Sequence, residues 1–176
     1  MPARDAIDQF DDLVDGWFDH LRGNAVADRV FYVASELGDW SLIWHVLGLA
    51  QGALARDGVA RSARLGAALG AESALVNGVV KLLFRRSRPV VELDRPHRLR
   101  QPRTSSFPSG HASSAFFAAG LLSERSAAKP VYYGIAVIVA ASRVHVRIHH
   151  ASDVIAGAAL GMSLAALVKR MRPLHA

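Results

Sequence analysis

"SRVHVRIHHASD", residues 142–153, holds three histidines, two arginines and an aspartate in twelve positions. The run before it, "VYYGIAVIVAA" (131–141), is apolar, and so is the run after it, "VIAGAALGMSLAALV" (154–168). Two apolar stretches joined by a short charged one read as two helices with a polar turn between them. The charge gathers at one end of the pair. The same alternation recurs along the chain and fixes the expected class: an all-α bundle with apolar shafts and polar ends.

Composition supports that segregation. The chain is 51% hydrophobic yet 20% charged, with a mean hydropathy of +0.19. At 176 residues it is one domain by size. Cysteine is absent, which excludes disulfides and thiolate metal sites. The net charge of +6 rests on 21 basic residues, nearly all arginine, and invites phosphate, anionic lipid or nucleic acid as partner. The basic run lacks the interleaved aromatics of a single-strand binder, so no nucleic acid is expected. The N-terminus is acidic and shows no signal-peptide pattern.

Outward from the opening stretch, five apolar helices are expected to span a bilayer. They run from about Asp39 to Ala55, from Ser62 to Phe84, from Ser109 to Leu122, from Pro130 to Val146, and from Ser152 to Val168. Gly38 is read as a helix stop, Asp39 as the cap of the next helix and Ser152 as the cap of the last. Several runs fall short of the ~20 residues that span comfortably, and their small residues suit close membrane packing. Ahead of them, Ile7, Phe10, Val14, Trp17 and Leu21 recur at helical spacing among six aspartates. That segment is an amphipathic helix lying on the bilayer interface or on the protein. Residues 1–38 thus form interfacial helices and 39–172 the membrane core of a single domain spanning 1–176.

The polar clusters fall at helix ends on one side of such a bundle. "KLLFRRSRP" (81–89) puts Lys81 and Arg88 two helical turns apart on one face. "FPSGH" (107–111) opens a helix, with Ser109 as N-cap and Gly110 letting a ligand approach the backbone amides. With Arg143, His149 and Asp153 these residues converge on one locus. Cations, helix-end amides and imidazoles suit a phosphoryl group: the cations clamp its oxygens, one histidine attacks, another protonates the leaving oxygen.

These motifs (K-x6-RP over Lys81–Pro89, PSGH over Pro108–His111, S-R-x5-H-x3-D over Ser142–Asp153) resemble, complete and in order, those of the type 2 phosphatidic acid phosphatase family. That family includes bacterial acid phosphatases and vanadium haloperoxidases. The resemblance implies a helical core and metal-independent hydrolysis through a phosphohistidine, with no cofactor. By matching position, His149 is the nucleophile, Asp153 its orienting partner and His111 the general acid. Lys81, Arg88, Arg143, Ser109 and the Gly110 amide would hold the phosphate. Arg147, where a small residue is usual, and "HHASD" depart from common members.

The rival readings are a metal site on His145, His149, His150 and Asp153, a membrane scaffold that binds an anion without turnover, and a haloperoxidase-like enzyme. The adjoining cations repel a divalent ion, so no metal is expected and His145 and His150 are read as bystanders. Glu36, Asp39, Glu72 and Asn77 are structural or tune the substrate. The expected substrates are lipid phosphates of the phosphatidate, phosphatidylglycerophosphate or polyprenyl phosphate class. Arg56, Arg61, Arg64, Arg125, Lys129, Lys169, Arg170 and Arg172 lie on the side away from the motifs. The positive-inside rule makes that side cytoplasmic and turns the active site outward from a multi-pass cell-membrane protein.

Overall fold

The protein is described by a computed structural model covering residues 2–90, 99 and 104–171, all helix, turn and irregular chain among those residues. The helices are α1 (Pro2–Asp19), α2 (Ala25–Gly38), α3 (Leu42–Ala53), α4 (Gly58–Gly78), α5 (Gly110–Leu122), α6 (Lys129–His145) and α7 (Ala151–Met171). Short 3-10 turns, Asp39–Ser41 and Val80–Leu83, follow α2 and α4. Most of the arginine-rich stretch 91–103 lies outside the described residues.

The bundle is built around α5. Its sequence, GHASSAFFAAGLL, offers small or apolar side chains all round, so it can be enclosed on every side, and ten of its thirteen residues are buried. α7 and α6 pack most closely on it, then α4 and α3. Gly157 and Gly161 of α7 permit the close approach to α5, since a Cβ at either would collide with the Ser109 or the Ser113 carbonyl. Trp44, Leu65, Leu69, Phe117 and Val139 fill the core between these helices. The outer faces remain apolar: Leu49, Val137, Ile155 and Leu167 are all more than half exposed. A soluble protein rarely leaves so much apolar surface uncovered.

Two segments, Gly58–Leu83 with 26 residues and Ala151–Met171 with 21, are long and apolar enough to cross a bilayer. α3, α5 and α6 have 12, 13 and 17 residues and fall below that length. Lengths alone therefore support two spans, fewer than the five expected.

α1 turns both apolar and acidic residues inward: Val14 and Phe18 pack on the core, and an aspartate is buried beside them. Asp11 is 4% exposed, whereas Ile7, Phe10, Leu13, Trp17 and Leu21 are exposed. Its acids grip arginines instead. Arg22 joins Asp15 (2.5 Å) and Asp19 (2.6 Å) and also donates to the last carbonyls of α6, Val144 and His145, at 2.9 Å each. Arg147 reaches Asp19 at 2.7 Å. The helix is thereby fastened across the α6–α7 turn by its charged face.

Candidate active site

The α6–α7 turn carries the first histidine. Arg147 closes it in the left-handed region, φ 51°, which is uncommon for a non-glycine residue. The amides of Ile148 and His149 both donate to the Arg143 carbonyl at 3.1 Å, folding His149 inward until it is 2% exposed. Its Nε2 lies 3.2 Å from Arg88 Nη1. A guanidinium only donates, so Nε2 accepts and the ring proton belongs on Nδ1. Nδ1 lies 3.4 Å from Ser106 Oγ and 3.6 Å from Asp153 Oδ2, the latter just beyond hydrogen-bonding distance. Ser106 in turn donates to Asp153 Oδ2, so the hydroxyl bridges ring and carboxylate. Burial pushes the His149 pKa down to about 3; the nearby Asp153 carboxylate opposes this, while Arg143, Arg88 and Lys81 reinforce it. The imidazole is neutral, with a lone pair facing the cations.

Asp153 is fully buried and heavily held. Beyond Ser106 it accepts from the His150 amide at 2.9 Å and from Arg86 Nη1 at 2.6 Å. Arg86 then reaches Asp11 at 2.6 Å. Asp11 accepts from both the backbone N–H and the hydroxyl of Ser152, each at 2.7 Å. Asp11 of α1 thus caps α7 from another element, and the expectation that Ser152 itself is the cap is corrected: Ser152 donates in the first turn. A carboxylate beside first-turn amides is favoured there by the helix dipole.

The second histidine opens α5. Ser109 is buried and caps this helix, as its place in the motif predicts, accepting from the Ala112 amide at 3.4 Å. Its own N–H donates to the Asp153 carbonyl at 2.9 Å, locking the α5 and α7 termini together. A Cβ at Gly110 would come within 2.7 Å of Asn77 Oδ1, so any other residue here would displace that side chain. His111 Nε2 lies 3.0 Å from Asp39 Oδ1. Asp39 was expected to cap a helix; instead its carboxylate faces His111 across the α2–α3 break. Trp40 and Ser41 follow it with φ 54° and 58°, two consecutive non-glycine residues in the left-handed region. Such strain clusters at functional sites.

Helical geometry ends at Leu83, so Lys81 and Arg88 do not share a helix face as expected. Lys81, 5% exposed, sits in the 3-10 turn. Arg88 returns from extended chain, pinned by the carbonyls of Ile148 (2.9 Å), Thr104 (3.2 Å) and Ser105 (3.3 Å). Arg143 is buried and donates to Ser35 of α2. A cavity of about 470 Å³ joins Lys81, Gly110, His111 and His149 and extends past Asn77 and Glu72 to His45.

His145 turns away from the cavity. It bonds Asp28 at 2.8 Å and stacks on Phe31 with ring centroids 4.6 Å apart. Among the described residues no group of three His, Asp or Glu is arranged to hold a metal. Sequence reasoning missed Asp11, Arg86, Ser106 and Ser35 and assigned no partner to Asp39. Arg86 and Ser106 lie beside motif residues, which is a weak signal; Asp11 and Asp39 carried none, since only the fold brings them in.

The sequence profile of the PAP2 superfamily matches residues 62–175. A decaprenylphosphoryl-5-phosphoribose phosphatase of Mycobacterium tuberculosis is 34% identical over 158 residues, 82% of this chain and 83% of that protein. The crystal structure of a transmembrane PAP2-type phosphatidylglycerolphosphate phosphatase from Bacillus subtilis superposes with a TM-score of 0.68 at 27% identity, covering 94% of this chain and 86% of that one. Aquifex aeolicus LpxE shares the fold, with a TM-score of 0.70 at 23% identity over 89% of this chain and 93% of its own. With a profile match over most of its length and the three motifs meeting at one cavity, this chain belongs to the PAP2 superfamily.

Proposed function

We propose that the protein is a membrane lipid phosphate phosphatase working through a phosphohistidine, with its bundle set in the bilayer and the cavity at one boundary. The observation that carries this is His149: a buried, neutral imidazole whose Nε2 faces Arg88 at 3.2 Å and whose Nδ1 side is backed by Ser106 and Asp153. Mere anion binding needs no such nucleophile.

In this reading the phosphate sits against Lys81, Arg88, Arg143, Ser109 and the Gly110 amide. The Nε2 lone pair attacks phosphorus while the bond to the lipid alcohol breaks. His111 gives its proton to the departing oxygen. With Asp39 on Nε2, Nδ1 is the nitrogen that turns toward the leaving group. Water then attacks the phosphohistidine, His111 takes a proton from it, and inorganic phosphate leaves with His149 restored. The cations offset the charge that builds on the equatorial oxygens. The exposed apolar face of α1 lies in the interface in this arrangement, and the five apolar helices pass through the membrane, with α5 enclosed by its neighbours.

The lipid class follows the relatives. The Mycobacterium tuberculosis protein is named for a decaprenyl-linked substrate and the Bacillus subtilis one for a phospholipid; the higher identity of the former favours a polyprenyl-linked phosphate. The test is phosphate release from detergent-dispersed lipid phosphates in excess EDTA, with vanadate as a competitive inhibitor mimicking the transferring group. Activity lost to EDTA and restored by Mg2+ or Zn2+ contradicts the mechanism; turnover of soluble sugar phosphates as fast as every lipid contradicts the substrate class.

A further inference from the structure

Gly66, Gly70, Ser73, Asn77 and Lys81 follow one another at intervals of three and four and line one wall of the cavity along α4 and the turn after it. The wall begins at the phosphate end with a cation. It continues with an amide and a hydroxyl, Asn77 Nδ2 donating to Ser73 Oγ at 3.2 Å, and ends in two glycines that leave space. His45 of α3 stands near the glycine end, and Glu72 lines the cavity beside Ser73.

Glu72 is the residue the proposed chemistry does not use. It is 4% exposed within a segment long enough to cross a bilayer. Its Oε1 accepts from Ser113 Oγ of α5 at 2.5 Å. A carboxyl so placed is costly and marks function by default. One serine satisfies a fraction of its acceptor capacity, which is about four hydrogen bonds. One side of the cavity next to the phosphate site therefore carries groups that bond hydroxyls, and an acyl or prenyl chain there would leave the remaining acceptor capacity of Glu72 unmatched.

We propose that Glu72, Ser73 and Asn77 form a subsite for a hydroxylated head group, a polyol or sugar that bears the scissile phosphate and separates it from the lipid. The assignment rests on the phosphatase reading above and adds which part of the substrate occupies the cavity. Glu72 accepts from head-group hydroxyls, while Asn77 and Ser73 bond the oxygens nearer the phosphate. A head group without hydroxyls strands these groups, so the site discriminates against it, because an unmatched buried acceptor penalises the poorer ligand.

The test compares kcat/KM on phosphatidylglycerophosphate and a prenylphosphoryl pentose phosphate, which carry hydroxyls beside the phosphate, with phosphatidate, which carries none. Glu72→Gln keeps a carbonyl for Ser113 but removes the carboxylate. Asn77→Ala leaves the Glu72–Ser113 bridge intact. Each variant is expected to lose about ten- to a hundredfold on the hydroxylated substrates and to change little on phosphatidate. Equal losses on all three, or no loss on any, overturn the subsite and make Glu72 a strut between α4 and α5. Wild-type protein that releases phosphate from none of the lipids overturns the phosphatase reading, and the subsite with it.

Discussion

Two histidines line the same cavity, each paired with an aspartate, and the two pairs are built in opposite ways. His149 and Asp153 stand four residues apart on one turn of chain, with side chains 2% and 0% exposed. His111 and Asp39 come from distant parts of the sequence, joined where α5 begins and α2 ends, with side chains 15% and 24% exposed. The first pair is dry and fixed by Ser106, Arg86 and Asp11; the second is less fully enclosed and stands beside a strained break. A nucleophile gains from a fixed tautomer and exclusion of water, whereas an acid must regain its proton each cycle and needs a route to solvent. The proposed division of labour matches that contrast.

The contrast can be broken most directly at its dry end. His149→Ala is expected to abolish phosphate release. Asp153→Asn should lower kcat by about 10²–10⁴-fold, as orienting aspartates do elsewhere. Recovery of near-normal turnover by either variant would remove the nucleophile from this pair.

At the less enclosed end, Asp39→Asn should show a dependence on leaving group. Lipid alkyl phosphates, which need protonation of the departing oxygen, should slow by about 10- to 100-fold, within the usual contribution of acid catalysis. Aryl phosphates with acidic phenols should slow far less. A uniform loss across both would make Asp39 a structural contact and leave His111 unpartnered in function.

A smaller effect sharpens the link from α1 to the dry pair. Asp11→Asn keeps one acceptor, for the Ser152 amide, but loses the second carboxylate oxygen that meets Arg86 and the Ser152 hydroxyl, so kcat should fall about tenfold with KM little changed, since about 1.4 kcal/mol corresponds to a factor of ten. Loss of affinity without loss of kcat would place Arg86 on the substrate instead of on Asp153.

The pH dependence has a defined sign. An unfolded histidine takes a proton near 6.5, while folded His149 waits until about 3. Between those values the unfolded chain binds more protons, so this residue's contribution to stability falls as pH drops through that window. The fall in Tm from pH 6.5 to 4 should be shallower in His149→Asn. The least effect on turnover is expected from His145→Ala and His150→Ala. His145 serves packing against Phe31 and Asp28, so its loss should lower Tm and spare most activity.

The sequence disclosed the parts of the site whose geometry is local. Ser109 as a cap, Pro130 in the first turn of α6, and the His149–Asp153 spacing all depend on neighbours a few residues away. Helix ends told less: α4 stops before Lys81, so an inferred helix face became a turn followed by extended chain. What stayed hidden depends on tertiary contact. Six aspartates along α1 look alike in sequence, and only packing against α7 selects Asp11 for burial. Asp39 beside Gly38 and Trp40 resembled a capping signal because both uses place a carboxylate after a helix stop. Glu72 stood out as an anomaly without an address until the cavity supplied one.

In the proposed reaction His149 carries the phosphoryl group. Rapid quench of the protein with a labelled lipid phosphate should trap label on the chain that is acid-labile and base-stable. This label should disappear in His149→Ala and persist in His145→Ala and His150→Ala. Label that survives His149→Ala and vanishes with either of the other two would contradict that role for His149.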